Sequence, residues 1–95
     1  MPTVQLRRYE IEDGQMDVFL PYWKKLIERR EKFGFRVVFA YVDETNNDIV
    51  WAVEHDGDFA AAEAEYFHSS ERAAALIGAP LVMKGIKVGM ASRVV

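Results

Sequence analysis

Strand-like alternation, one long helical stripe and a strand that is apolar on both sides together predict a small α+β domain. The expected fold is a ferredoxin-like βαββαβ antiparallel sheet with helices on one face, completed as a dimeric α+β barrel. The two-sided strand is Phe35 to Val42. Side chains alternate across a strand, so Phe35, Val37, Phe39 and Tyr41 are expected on one face and Val38, Ala40 and Val42 on the other. One layer of helices covers only one face of so small a sheet. The second face therefore implies a partner subunit or a ligand.

The elements follow in order. Val4 to Ile11 reads as a first strand, with Val4 and Leu6 on one face and Gln5, Arg7, Tyr9 and Ile11 on the other; Glu12-Asp13-Gly14 turns the chain. From Met16 the period becomes helical. Met16, Phe19, Leu20, Trp23, Leu26 and Ile27 form one stripe, with Lys24, Lys25, Glu28, Arg29, Glu31 and Lys32 as the solvated face and Gly34 as the stop. Pro21 predicts a kink or a loosened first turn, or else a later start near Leu20. Asp43 to Asp48 is a polar hairpin loop, and Ile49 to Val53 is the third strand. Asp58 is suited to cap a helix from Phe59 to about Phe67, and Ser69 or Ser70 a further helical segment through Leu76. Gly78, Pro80 and Gly85 mark a loop, leaving Lys87 to Val95 as the last strand. In the arrangement that covers the bare face, two such sheets pack against each other across a homodimer, burying well over about 1,000 Å² in obligate pairs.

Composition supports the assembly. The 95 residues form one domain, 1–95, and a chain of this length hides only about 60 to 65% of the surface its unfolded form exposes. Yet 51% of the residues are hydrophobic and 13% aromatic, more than a lone small domain readily buries. The net charge is −3, and acids are interspersed with the 12 Lys and Arg, so nucleic acid is a poor partner. The absence of cysteine excludes disulfides, thiol nucleophiles and Cys-based metal sites. The N-terminal residues lack the apolar core of a signal peptide, and no run reaches the roughly 18 apolar residues of a membrane span. A cytoplasmic protein without membrane contact is expected. There is no phosphate-cradling glycine loop, Gly-x-Ser-x-Gly elbow or dinucleotide fingerprint, and no cofactor is expected. The acidic groups Glu10, Glu12, Asp13 and Asp43, Glu44, Asp48 fall in turns, match no calcium loop and are expected to face solvent.

Several segments resemble a known family. Gln5-Leu6-Arg7-Arg8-Tyr9 is similar to its opening strand, although Gln5 stands where the family usually has an acid. Gly14-Gln15-Met16-Asp17-Val18-Phe19-Leu20-Pro21-Tyr22-Trp23 resembles its Gly turn and first helix. Phe33 to Val38 and Ile49 to Phe59 resemble its second and third strands. This is the NIPSNAP-like branch of the dimeric α+β barrel superfamily, and the resemblance covers about residues 4 to 76. It implies little about activity, because many NIPSNAP-like proteins have no assigned reaction. The wider superfamily holds cofactor-independent oxygenases, haem-degrading enzymes, isomerases and binding modules, which use a cavity between the sheet and its helices.

Four residues are candidates for such a ligand site. Arg7 and Tyr9 share a strand face; Arg7 is either an anion anchor or the partner of an acid across the barrel or dimer, and the ion pair is the commoner arrangement. Trp51 stacks on a planar ligand if it faces the helices, and anchors the interface if it faces the partner sheet. His68, at the end of the second predicted helix, is a better base than His55, although exposed and structural roles are more frequent for both. The two histidines have no metal-ligand spacing, and no metal is expected. The function expected is a homodimer that binds a small apolar or aromatic molecule. The alternative is a cofactor-independent monooxygenase or related small-molecule enzyme with Tyr9, Trp51 and His68 near the substrate.

Overall fold

The computed structural model describes residues 2–95, so the first residue of the expected domain lies outside it. The elements are β1 (Thr3–Ile11), α1 (Met16–Glu31), β2 (Arg36–Asp43), β3 (Asp48–His55), α2 (Phe59–Phe67), α3 (Ser70–Leu76) and β4 (Met83–Ala91). The strands form one antiparallel sheet in the order β2-β3-β1-β4. This is the ferredoxin-like α+β order, with β1 and β3 central. None of the helices among the described residues is long and apolar enough to cross a membrane.

Cross-strand partners share a face. Gln5 opposite Val53, Arg7 opposite Trp51 and Tyr9 opposite Ile49 therefore line one side, with Met90, Val88 and Ile86 of β4 beside them. That side carries the helices. Its core joins Tyr9, Ile11, Ile49, Trp51 and Val53 to Phe19 and Trp23 of α1, to Phe59, Ala62 and Tyr66 of α2, and to Phe35. The other side, with Leu6, Arg8, Glu10, Val50 and Glu54, has no helix layer.

The alternation expected for β2 fails at one residue. Val37 pairs with Val53, but Phe39 pairs with Ala52, so the register shifts by a bulge at Val38. Past it the faces exchange: Phe39 and Tyr41 join the open side with Ala52 and Val50, whereas Ala40 and Val42 lie on the helix side with Trp51 and Ile49. Phe35 precedes the strand and is buried in the core. Most of β2 itself is exposed, because it is a sheet edge.

Other boundaries moved for identifiable reasons. Helix α1 is continuous through Pro21, and no later start occurs near Leu20. The donor that Pro21 lacks would have bonded the carbonyl of Asp17 in the first turn, where Asp17 and Pro21 are both exposed to water. The helix ends as Gly34 turns at φ +89°, a left-handed conformation that favours glycine. A side chain there would also lie 2.8 Å from Nε2 of His55. Strand β4 begins at Met83 rather than Lys87, because Gly85 pairs directly with Glu10. It stops at Ala91, opposite Val4, where β1 is itself near its start. Asp58 and Ser69 cap α2 and α3 as expected, accepting from the amides of Ala61 at 3.0 Å and Arg72 at 3.1 Å.

Candidate functional site

A cavity of about 170 Å³ lies between the helix side of the sheet and the helices. Period-two alternation brings Arg7 and Tyr9 from β1 and Trp51 from β3 to its wall, with Met83 and Ile86 from β4. From α1 come Phe19, Tyr22, Trp23, Leu26, Ile27 and Arg30, and from α2 and α3 come Tyr66, Phe67, Arg72 and Leu76. The inner wall is closed by Trp51 and Tyr66, each 1% exposed. Phe67, Leu76, Met83 and Ile86 are exposed.

The aromatic side chains form a connected set. Trp51 meets Trp23 edge-on at 5.4 Å between ring centroids and Tyr9 at 6.0 Å, and Tyr9 meets Phe19 at 6.0 Å. Such pairs fix ring positions beyond what area burial alone requires. Burial raises the pKa of Tyr66 and of Tyr22, which keeps both phenols neutral at ordinary pH.

Two buried arginines run through this aromatic wall. Arg7 donates from Nε to the Tyr9 hydroxyl at 2.7 Å and from Nη1 to Oε1 of Gln5 at 2.6 Å. The guanidinium of Arg30 lies 4.7 Å from the centre of the Tyr66 ring, 5.4 Å from Phe35, 5.6 Å from Trp51 and 5.7 Å from Phe67. Both approach one carboxylate: Glu63 Oε2 is 3.7 Å from Arg7 and 3.9 Å from Arg30, too far for a hydrogen bond to either. Among the described residues, Arg30 Nη1 and Glu63 Oε2 accordingly have no hydrogen-bond partner, nor do the indole nitrogens of Trp23 and Trp51. Desolvation, and then the charge of Arg7, lowers the pKa of Arg30 from its usual value.

The structure gathers three of the four sequence candidates, Arg7, Tyr9 and Trp51, and separates the fourth. His68 is exposed at the C-terminal cap of α2, where its backbone amide bonds the carbonyl of Ala64, and it does not line the cavity. Arg7 approaches an acid within its own chain, Glu63. Trp51 faces the helices, not the open side. His55 joins two segments: Nε2 lies 2.9 Å from the Phe33 carbonyl, and Nδ1 accepts from the Gly57 amide at 2.9 Å. That pairing assigns the ring proton to Nε2. Asp48, expected to face solvent, is buried instead and binds Arg8 at 2.6 Å, with Asp43 on the same guanidinium at 3.1 Å.

Sequence reasoning missed Arg30. The signal was present, since Arg30 follows Trp23 and Ile27 at helical spacing and so continues the apolar stripe. Its charge hid it. Glu63 was missed because it sits one position after the buried Ala62, in an alanine-rich helix that otherwise reads as close packing.

No protein-family model matches the sequence, and no curated protein is significantly similar to it. Solved structures are similar in fold. A NIPSNAP family protein of unknown function from Agrobacterium tumefaciens superposes with a TM-score of 0.82 at 16% identity, over 95% of this chain and 86% of that one. An uncharacterised NIPSNAP domain protein from Burkholderia xenovorans gives 0.83 at 16% identity, over 97% and 94%. A putative antibiotic biosynthesis monooxygenase from Bacteroides thetaiotaomicron gives 0.77 at 18% identity, over 99% and 90%. The chain thus has the ferredoxin-like α+β fold of NIPSNAP family proteins, shared with proteins of the antibiotic biosynthesis monooxygenase type.

Proposed function

We propose that the protein is a homodimer, joined through the open sheet face, that binds a small apolar or aromatic molecule in the cavity between sheet and helices. The observation that carries the ligand reading is the wall itself, in which seven of fifteen residues are aromatic. A concave, largely apolar site with a few polar groups is the usual form of a small-molecule pocket. Its volume of about 170 Å³ suits one ring with a small substituent, since a cavity of about 150 Å³ holds benzene.

The dimer reading rests on shape and surface. The molecule measures 38 × 36 × 17 Å, a slab with helices on one side only. Its accessible surface is 6165 Å², against about 5,600 Å² for a compact monomer of 10.9 kDa. The open side carries Leu6, Phe39, Tyr41 and Val50, flanked by the ion pairs of Arg8 with Asp43 and Asp48 and of Arg36 with Glu54 and Asp56. An apolar centre with a paired polar rim is the usual anatomy of an interface.

Titration with single-ring aromatic compounds, followed by the fluorescence of Trp23 and Trp51, tests the ligand reading. Saturable quenching is expected, and its absence across such a series would remove it. The alternative, a cofactor-independent monooxygenase, draws support from the likeness to the Bacteroides thetaiotaomicron protein. The cavity wall favours it less. With His68 elsewhere, the wall contains neither imidazole nor carboxylate to take a proton from substrate. Oxygen uptake on adding phenolic substrates would reverse that preference.

A further inference from the structure

Building on the ligand reading, we propose that the cavity selects an anion, a single-ring aromatic carboxylate of the benzoate class, and disfavours neutral and cationic rings of the same size. The wall contains three arginines, Arg7, Arg30 and Arg72, and no acid. Glu63, which is not part of the wall, is shared by Arg7 and Arg30 at 3.7 and 3.9 Å. Two buried guanidinium groups thus face one carboxylate, and one positive charge is left uncompensated where water is largely excluded. Arg30 is 4% exposed and Arg7 is 8% exposed. Buried charges in folded proteins are ordinarily paired, and an uncompensated one is costly.

The hydrogen-bond inventory is independent of charge and points the same way. Three buried donors on residues of this wall lack acceptors among the described residues: Arg30 Nη1, Trp51 Nε1 and Trp23 Nε1. The phenol of Tyr9 and the amide of Gln5 already engage Arg7. The site is rich in donors and poor in acceptors. A carboxylate brings two oxygens with about four acceptor positions and no donor, and it pairs well with a guanidinium. The ring attached to it replaces contacts among Phe19, Trp23, Trp51 and Tyr66, and the volume limits it to one ring. Arg72, half-buried with its guanidinium 4.9 Å from the centre of the exposed Phe67 ring, adds a further positive charge to the outer wall.

The test is calorimetric titration of the intact protein with benzoate, benzamide, benzylammonium and acetate. Benzoate is expected to bind at least about tenfold more tightly than benzamide, the difference of one charge-assisted hydrogen bond, and benzylammonium and acetate more weakly still. Equal binding of benzoate and benzamide, or tighter binding of benzylammonium, would overturn the anion while leaving the aromatic cavity intact. Acetate equal to benzoate would overturn the ring. Failure of all four to bind at millimolar concentration would remove the cavity reading as well. In Arg30→Met, which keeps side-chain bulk, the preference for benzoate over benzamide should fall to within about threefold, and the melting temperature of the unliganded protein should hold or rise. Persistence of the full preference would sink the role given to Arg30. Should that variant not fold, Glu63→Gln supplies the second reading: loss of the competing carboxylate should tighten benzoate, and weakened binding would count against the proposal.

Discussion

On the helix side of β3, Ile49, Trp51 and Val53 are at most 2% exposed, whereas on the open side Leu6 and Tyr41 stand 43% and 70% exposed. The same two-residue period produces both surfaces. One has met its cover within the chain, through the stripe of α1 and the aromatic residues of α2. The other retains apolar side chains between ion pairs and has no cover of its own. The contrast teaches that the residues that hold the folded chain together and those left open for the proposed dimer are different ones, separable by mutation.

The largest effect is expected on the covered face. Trp51→Ala removes a side chain that packs on Trp23, Tyr9 and Arg30, and should cost about 3–5 kcal/mol, read from the urea midpoint. A midpoint near wild type would mean that the helix layer is not the core. On the uncovered face, Phe39→Asp should leave the circular dichroism of the protomer in place while sedimentation shows loss of the proposed dimer. A wild-type protein that sediments as a monomer at micromolar concentration would break the comparison at once, because the open side would then need no partner. A smaller effect belongs to the cap of α2. Asp58→Ala forfeits one bond to the Ala61 amide and should lower stability by about 1 kcal/mol, without altering the oligomeric state.

The smallest effect is in pH dependence at the borders of the open side. Hydrogen bonds from Asn46 and then Arg8 hold Asp43 below the ordinary carboxylate range, and Arg36 does the same for Asp56. A lowered folded pKa means that the stabilisation is present above the unfolded value, about 3.9, and is lost as pH falls through the folded one. The melting temperature should therefore decline only below about pH 4 on this account. Asp43→Asn should flatten part of that decline; an unchanged acid limb would remove Asp43 from the explanation.

Much of the fold was legible because period and punctuation agreed. Helix α1 announced itself in the spacing of Phe19, Trp23 and Ile27, and Asp58 and Ser69 marked helix starts by a chemistry that depends on no distant partner. The bulge in β2 left no such mark. Since Val37, Val38 and Phe39 are all apolar, a slip of one residue changes nothing in the hydrophobic pattern, and only pairing with β3 fixes it. Of the candidate site, the strand residues Arg7, Tyr9 and Trp51 could be grouped by alternation. Arg30 could not, because burial of its charge depends on four rings contributed by three other segments. Position at the end of a helix misled for His68, since the residue there is exposed and outside the cavity wall.

The bulge at Val38 also decides on which side of the sheet two rings fall. Were Val38 to pair in turn with Ala52, the register would slip by one residue, carrying Phe39 opposite Trp51 and Tyr41 opposite Ile49, toward the helices, with Ala40 and Val42 passing the other way. A slip of one residue thus separates two arrangements of the same strand. One turns its aromatic rings to the open side, and the other would crowd them toward its own pocket.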